Sequence, residues 1–298
     1  MKVLIAGGSG YLGRHLARTF LQDNHEVSIL TRGAEGVAGT KLIPWDGRSI
    51  QGWGQTIEEM DLVIHLAGKS LGTWPWTKAR KQEFETSRVE SGRVLVKAIQ
   101  QARHRPRLFV QQSGINYYGL RGDPADESSQ AAGDFLAQLT VRWEAATHLL
   151  EDLGIRRVVL RSAVVLSKGE GLMPLISLPV KLFMGGPLGN GRQVFPWIHL
   201  EDWISAVKYL VYNEQAQGAY NLIAPVATSN EEFNRALALV LHRPFWFPTP
   251  GLFLRCLLGE MSNLILEGRA VNPKRLMDGG FQFHFPHVRD ALINIFGI

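Results

Sequence analysis

A short apolar run at residues 2–6 stops at Gly7-Gly8, which predicts a buried strand followed by a tight turn. Residues 11–22 then carry Leu12, Leu16, Phe20 and Leu21 at the spacing of a helix with one buried face. Further apolar runs at 26–30, 41–45, 61–66, 107–111 and 156–160 predict strands. Helical spacing at 78–103 and 134–153 places long helices between them. Strands alternating with helices build right-handed crossover units, and these build a parallel sheet covered on both faces. From 168 to 191 glycine and proline cluster. Strand and helix patterns return at 194–198, 200–211 and 219–222, and beyond Pro225 the chain is mostly helical, ending in 288–295. The pattern predicts an α/β chain: a doubly wound parallel sheet with a smaller, mostly helical C-terminal cap. The division expected is 1–166 for the sheet core, with returning segments near 193–224, and 167–298 for the partly interleaved cap.

Composition changes this picture little. The 298 residues are 45% hydrophobic and 20% charged, ordinary values for a globular chain. The net charge of +5 includes one dense basic stretch at 103–107, between two elements, which reads as a solvated turn. No wider basic stripe is present, so nucleic acid is not an expected partner. The single cysteine, Cys256, lies in an apolar run and is expected to be buried and inert, without a disulfide. The nine histidines show no metal-binding spacing. Two apolar runs, 172–184 and 245–258, are too short and too broken by proline and charge to span a bilayer. The N-terminus enters a strand almost at once, without a signal-peptide pattern. A soluble, cytoplasmic protein with no membrane partner is expected, acting on a small molecule; homodimerisation is left open.

The turn after the first strand carries the most informative chemistry. Gly7, Gly10 and Gly13 are spaced GxxGxxG, with Tyr11 and Leu12 opening the helix. Small residues let the backbone turn sharply and approach a pyrophosphate, and the helix N-terminus offers free N–H groups to its charge. Set between a clean strand and an amphipathic helix, this is the Rossmann dinucleotide-binding arrangement. The second strand ends Thr31-Arg32, with no acid before Glu35. An NAD-binding strand usually ends in Asp or Glu to hold the ribose 2′-OH. Arg32 can instead pair with a 2′-phosphate through its planar fork, with Thr31 adding a hydroxyl. The expected cofactor is therefore NADP(H). At the end of the fourth strand, His65 is expected to pack within the sheet, and Asp46 beside Trp45 could border an adenine pocket.

Taken together these residues resemble the extended short-chain dehydrogenase/reductases, the group that contains the nucleotide-sugar epimerases. Several segments resemble one atypical subfamily labelled "epimerase family protein": Trp143-Glu144, residues 161–166, the block 185–193, Pro196-Trp197-Ile198-His199 with Asp202, and Pro273-Lys274-Arg275-Leu276 with Gly280-Phe281. The resemblance covers nearly the whole chain and implies a cofactor-binding core followed by a C-terminal domain of poorly defined function. It further implies cofactor contacts at Leu66 and Ala67, at a Glu83–Arg88 pair on the central helix, and at Val165.

The resemblance also shows what is missing. Standard members use a Ser, a Tyr acid/base and a Lys that lowers the Tyr pKa. Aligned on Tyr118-Gly119, the Ser position holds Gly114, with Ser113 one residue earlier; on the next helix Phe135 and Leu139 hold the Tyr and Lys positions. Neither can exchange a proton. Nearby alternatives are Ser113, Tyr117 and Tyr118, with His199 and Asp202 as an acid/base pair further on. Two readings stay open. One is an oxidoreductase using NADPH on a small carbonyl or enone substrate without the Tyr-Lys pair. The other is a non-catalytic NADP-binding redox sensor or assembly factor. Trp246, Phe247 and Phe253 would serve a hydrophobic pocket or a partner surface under either.

Overall fold

A computed structural model describes residues 1–33 and 36–297. In chain order the core elements are β1 (Lys2–Ala6), α1 (Tyr11–Gln22), β2 (Glu26–Thr31), β3 (Lys41–Pro44), β4 (Leu62–His65), α2 (Lys78–Gln101), β5 (Leu108–Gly114), α3 (Phe135–Ala145), α4 (Leu149–Asp152) and β6 (Arg156–Ser162). There follow β7 (Val164–Ser167), β8 (Glu170–Gly171), α5 (Met173–Lys181), β9 (Trp197–His199), α6 (Leu200–Tyr212) and β10 (Gly218–Leu222). The chain closes with α7 (Asn230–Val240), α8 (Gly251–Leu258), α9 (Asn263–Leu266), α10 (Lys274–Asp278) and α11 (Val288–Phe296).

Seven parallel strands form one sheet in the order β10-β6-β5-β4-β1-β2-β3. Alternate side chains of each strand go to opposite faces, because the strand period is two. Val3, Ile5, Ile29 and Val110 pack with Leu16 and Phe20 of α1 and with Trp203, Val207 and Leu210 of α6. Leu4, Ala6, Leu30 and Phe109 point the other way, onto Leu95 and Ile99 of α2. Both faces are therefore buried, and the strands read as continuous apolar runs. Strand order reverses between β1 and β4, and ligands of open α/β sheets bind outside the carboxyl ends of strands at such a switch point.

A second, three-stranded sheet, β8-β7-β9, leads into the C-terminal unit. Met173, Val180, Phe233, Leu237, Leu292 and Ile295 make a separate core there. The chain returns to the main sheet through α6 and β10. Arg275 pins α10 against β10 by donating to the carbonyls of Gln217 (2.9 Å) and Ala219 (2.7 Å) and stacking on Tyr220.

Two departures from the sequence pattern, and one feature that the pattern left open, have local causes. The helix predicted over 134–153 breaks into α3 and α4. At the break, Thr147 turns inward, donates to Gln111 and accepts from Arg157 Nε at 2.8 Å. The glycine block 185–191 is a packing seam: a Cβ on Gly186 would lie 2.0 Å from the Phe247 carbonyl oxygen, so residues 245–249 run directly along it. Cys256 is exposed rather than buried, because α8 buries only Leu254 and its apolar run faces outward.

Candidate functional site

The β1–α1 turn has the geometry of a phosphate loop. Gly7 takes φ +84°, and a Cβ there would lie 2.8 Å from the Ala67 nitrogen. The loop is thus pressed onto the end of β4, where Leu66 and Ala67 follow His65. A Cβ on Gly13 would meet the Gly7 carbonyl oxygen at 2.4 Å and Gly8 Cα at 2.6 Å, so only glycine lets α1 start this close to the turn. Gly10 is the N-cap and no side chain caps the helix; its first turn carries no acid. Backbone donors and the positive end of the helix dipole are left for an anion.

The end of β2 closes one side of this loop. Thr31 is buried and its hydroxyl shares a 2.8 Å hydrogen bond with the Ser9 hydroxyl while accepting from the Gly33 amide at 3.1 Å. It ties the glycine loop to β2. Arg32 is exposed beside it and makes no ion pair among the described residues. Glu35, the first acid after β2, lies outside the described residues. Tyr11 donates its hydroxyl to Ser167 Oγ at 2.7 Å, and burial pushes its phenol up to about 12. Arg14 and His15 reach Glu170 at 3.1 and 3.0 Å. Side chains of α1 thus hold the β7–β8 turn across the helix N-terminus. Leu12 is half-buried at the same turn, and Val165 is buried in β7.

Arg88 and Glu83 are not brought together. Glu83 is exposed and paired with Lys69 and, at 3.8 Å, with Arg80. Arg88 is buried, donates to the Phe84 carbonyl at 3.1 Å and lies 4.9 Å from the Trp143 ring. Its guanidinium sits under Gly68, 3.4 Å from where a Cβ would be, at the carboxyl end of β4. Burial lowers its pKa to about 10, and no carboxylate partners it among the described residues. An arginine held this way beneath the switch point suits an anionic or hydroxyl-bearing group above it.

The catalytic candidates form a linked network. Buried Ser113 donates to Glu144 at 2.6 Å. Glu144 also takes a two-point contact from Arg161 at 2.9 and 2.8 Å. Arg161 Nη1 donates to the Tyr118 hydroxyl, which donates to Asn221 Oδ1, both at 2.9 Å. Burial raises the Tyr118 pKa despite Arg161, so its proton is both committed and hard to remove. The ring of Tyr117 lies 3.4 Å under the Arg161 guanidinium, and no hydrogen bond of its hydroxyl is found among the described residues. Helix α3 contains neither Tyr nor Lys. Leu139 is 2% exposed, whereas Phe135 is half-buried and borders a pocket of about 610 Å³. Trp76, Leu120 and Arg121 line that pocket on the sheet side; Arg255, Asn263 and Leu264 line it from the C-terminal unit.

His199 and Asp202 serve the fold. The His199 ring accepts from the Glu201 amide at 3.2 Å as the N-cap of α6 and stacks on Phe285. Asp202, fully buried, accepts from the His284 and Phe285 amides at 2.7 and 2.9 Å. Together they fasten the 284–285 segment to α6. His65 is fully buried in β4 and bonded to Ser91 at 2.8 Å. Asp46 accepts from the Arg48 and Ser49 amides, closing its own turn. The Ser113–Glu144–Arg161 link was not read from the sequence, although the Trp143-Glu144 and Arg161 segments stood out there.

The model of the NAD dependent epimerase/dehydratase family matches residues 3–222. The chain belongs to that family. A model of a domain of unknown function (DUF1731) matches residues 249–295, which holds α8 to α11 up to Ile295. Among curated relatives, the mouse epimerase family protein SDR39U1 is 35% identical over 300 residues, 99% of each chain. The Bacillus subtilis epimerase family protein YfhF is 35% identical, over 98% of this chain and 97% of its own. Among solved structures, human SDR39U1 (isoform 2) with NADPH matches with a TM-score of 0.88 at 31% identity, covering 99% of both chains. Thermus thermophilus UDP-glucose 4-epimerase, at 18% identity and a TM-score of 0.77 over 100% of this chain, shares the fold. These matches agree with an atypical extended short-chain dehydrogenase/reductase. Among the described residues, no helix is long and apolar enough to cross a membrane.

Proposed function

We propose that this chain binds NADP(H) and uses it as an oxidoreductase on a small carbonyl or enone substrate. The observation that carries the cofactor assignment is the pairing of an uncapped helix start behind the glycine turn with a β2 end that offers Arg32 and, among the described residues, no acid. The NADPH in the human SDR39U1 structure supports it. The α1 N–H groups would hold the pyrophosphate, and Arg32 with the Thr31 hydroxyl the 2′-phosphate. Leu66 and Ala67 would border the ribose over β4, and Arg88 lies below them. When bound, the nicotinamide supplies a hydride. The substrate would lie in the 610 Å³ pocket beside Phe135.

The proton side differs from that of standard members. Ser113 is committed to Glu144 and Tyr118 to Asn221, so neither is poised to protonate an oxygen. Tyr117 keeps an uncommitted hydroxyl on a ring that Arg161 holds in place by stacking, which makes it the strongest proton-donor candidate of the three. A substrate reduced at carbon, such as an enone, asks least of such a site, since its proton can arrive from water. The same commitments favour a second reading, a non-catalytic NADP-binding sensor or assembly factor. A screen of NADPH oxidation against aldehydes, ketones and enones separates the two. Turnover that falls at least about tenfold in Tyr117→Phe supports the enzyme. NADPH binding with no turnover across the screen supports the sensor.

A further inference from the structure

The C-terminal unit carries an apolar edge that none of the described residues covers. In α5, Leu175 and Leu178, with Leu182 just beyond, follow i, i+3, i+7 spacing and are each more than half exposed, while Met173, Ser177 and Val180 face inward. Phe183 comes next, 54% exposed and held at φ +63°, a backbone conformation a bulky side chain rarely adopts. Trp246 lies beside it, donating Nε1 to the Phe183 carbonyl at 2.9 Å, and is 67% exposed. Residues 245–249 then run along 185–188 into α8, where Leu252, Phe253 and Leu257 are exposed and only Leu254 is buried. Monomeric proteins seldom leave this much connected apolar surface without a use.

The segments that form this edge carry charge of one sign. Residues 171–193 and 242–259 contain Lys181, Arg192, Arg243 and Arg255 and no acid. Acids that flank these segments are engaged elsewhere: Glu170 by Arg14 and His15, Glu231 by Arg235 and Glu260 by Lys81. A second copy docking by a two-fold axis would set these cations against their own copies. Within α5, residues 182–184, residues 246–247 and α8 a protein partner would also meet few neutral hydrogen-bonding side chains, since Ser177 is buried and the Trp246 donor is already used. Leucine and aromatic side chains with a cationic border fit the boundary between acyl chains and anionic headgroups.

We propose that the edge formed by α5, residues 182–184, residues 246–247 and α8 docks on an anionic lipid surface without spanning it. The sequence expectation of no membrane partner rested on the failure of either apolar run to span a bilayer, which docking does not require. The inference is independent of the cofactor.

The test is sedimentation of the full chain with phosphatidylcholine vesicles, with and without phosphatidylglycerol, alongside light scattering. Binding is expected only with phosphatidylglycerol, and it should weaken as salt rises. Leu178→Glu and Phe253→Glu change exposed side chains, should keep the wild-type melting temperature, and should each weaken binding by about tenfold or more. Lys181→Gln and Arg255→Gln should each weaken it about fivefold. No binding to either vesicle overturns the proposal, as does binding that all four variants leave unchanged. A wild-type dimer that Leu178→Glu converts to monomer also overturns it, by showing that a second copy covers the edge.

Discussion

Restoring the standard acid/base pair as Phe135→Tyr with Leu139→Lys separates an open catalytic position from a filled one. Leu139 is 2% exposed on the inner side of α3, so its replacement removes a buried leucine worth about 1.5–3 kcal/mol. It also sets an ammonium in apolar surroundings, where the effective penalty is several kcal/mol even after the group loses its proton. The combined loss should be about 4–6 kcal/mol, which lowers the melting temperature of a chain this size by on the order of 10 °C. Phe135 is half-buried at the pocket rim, so Phe135→Tyr alone should shift it by no more than a degree or two (roughly 0.5 kcal/mol). The assay is thermal unfolding of both single variants and the double variant, with a parallel assay of carbonyl reduction. The Leu139→Lys loss should shrink as pH rises, because the unfolded chain then no longer binds a proton that the folded chain excludes. Wild-type stability in the double variant, with new carbonyl reduction, would refute the reasoning and show that Leu139 faces an open site.

Three other outcomes are expected. Gly13→Ala forces a Cβ to 2.4 Å from the Gly7 oxygen and should weaken NADPH binding by roughly tenfold to a hundredfold in calorimetry; wild-type affinity would show that this turn does not hold the cofactor. Arg161→Met leaves the largely enclosed Glu144 without its cation and should destabilise by about 2–4 kcal/mol in denaturant titrations, with Glu144→Leu restoring part of the loss; an unaffected single variant would break the network argument. Burial holds His65 down at about 3, against 6.5 in the unfolded chain, so only the unfolded state takes up its proton as pH falls through that window. Stability should therefore drop by about 1.4 kcal/mol per unit below about pH 6.5 from this group, and His65→Gln should flatten that limb; an equal slope in both proteins would remove His65 from the acid response.

The sheet was legible because both of its faces are buried. Runs such as Val3-Leu4-Ile5-Ala6 and Leu62-Val63-Ile64 carry no polar interruption, and the helix after the first turn has a single apolar stripe. The glycine turn was legible for a related reason: it sits between two unmistakable elements, and each close approach there excludes a Cβ. The break after Ala145 was not legible, since it depends on Thr147 finding Gln111 and Arg157 from distant segments. The same holds for Ser113, Glu144 and Arg161, whose meeting requires β5, α3 and β6 to be adjacent. That Glu83 and Arg88 go separate ways was not legible either: Lys69, from the β4–α2 loop, engages Glu83, while Arg88 turns under Gly68. Cys256 was misplaced because an apolar run predicts burial only when the fold supplies a surface to bury it against.

The central claim is a cofactor site selective for the 2′-phosphate, and calorimetric titration of wild type and Arg32→Ala with NADPH and NADH tests it most directly. Wild type should bind NADPH more tightly than NADH. Arg32→Ala should weaken NADPH by about tenfold and leave NADH unchanged, because only the phosphate meets the guanidinium. Tighter binding of NADH than of NADPH by the wild type would contradict the account, and equal NADPH affinity in the two proteins would remove Arg32 from the site.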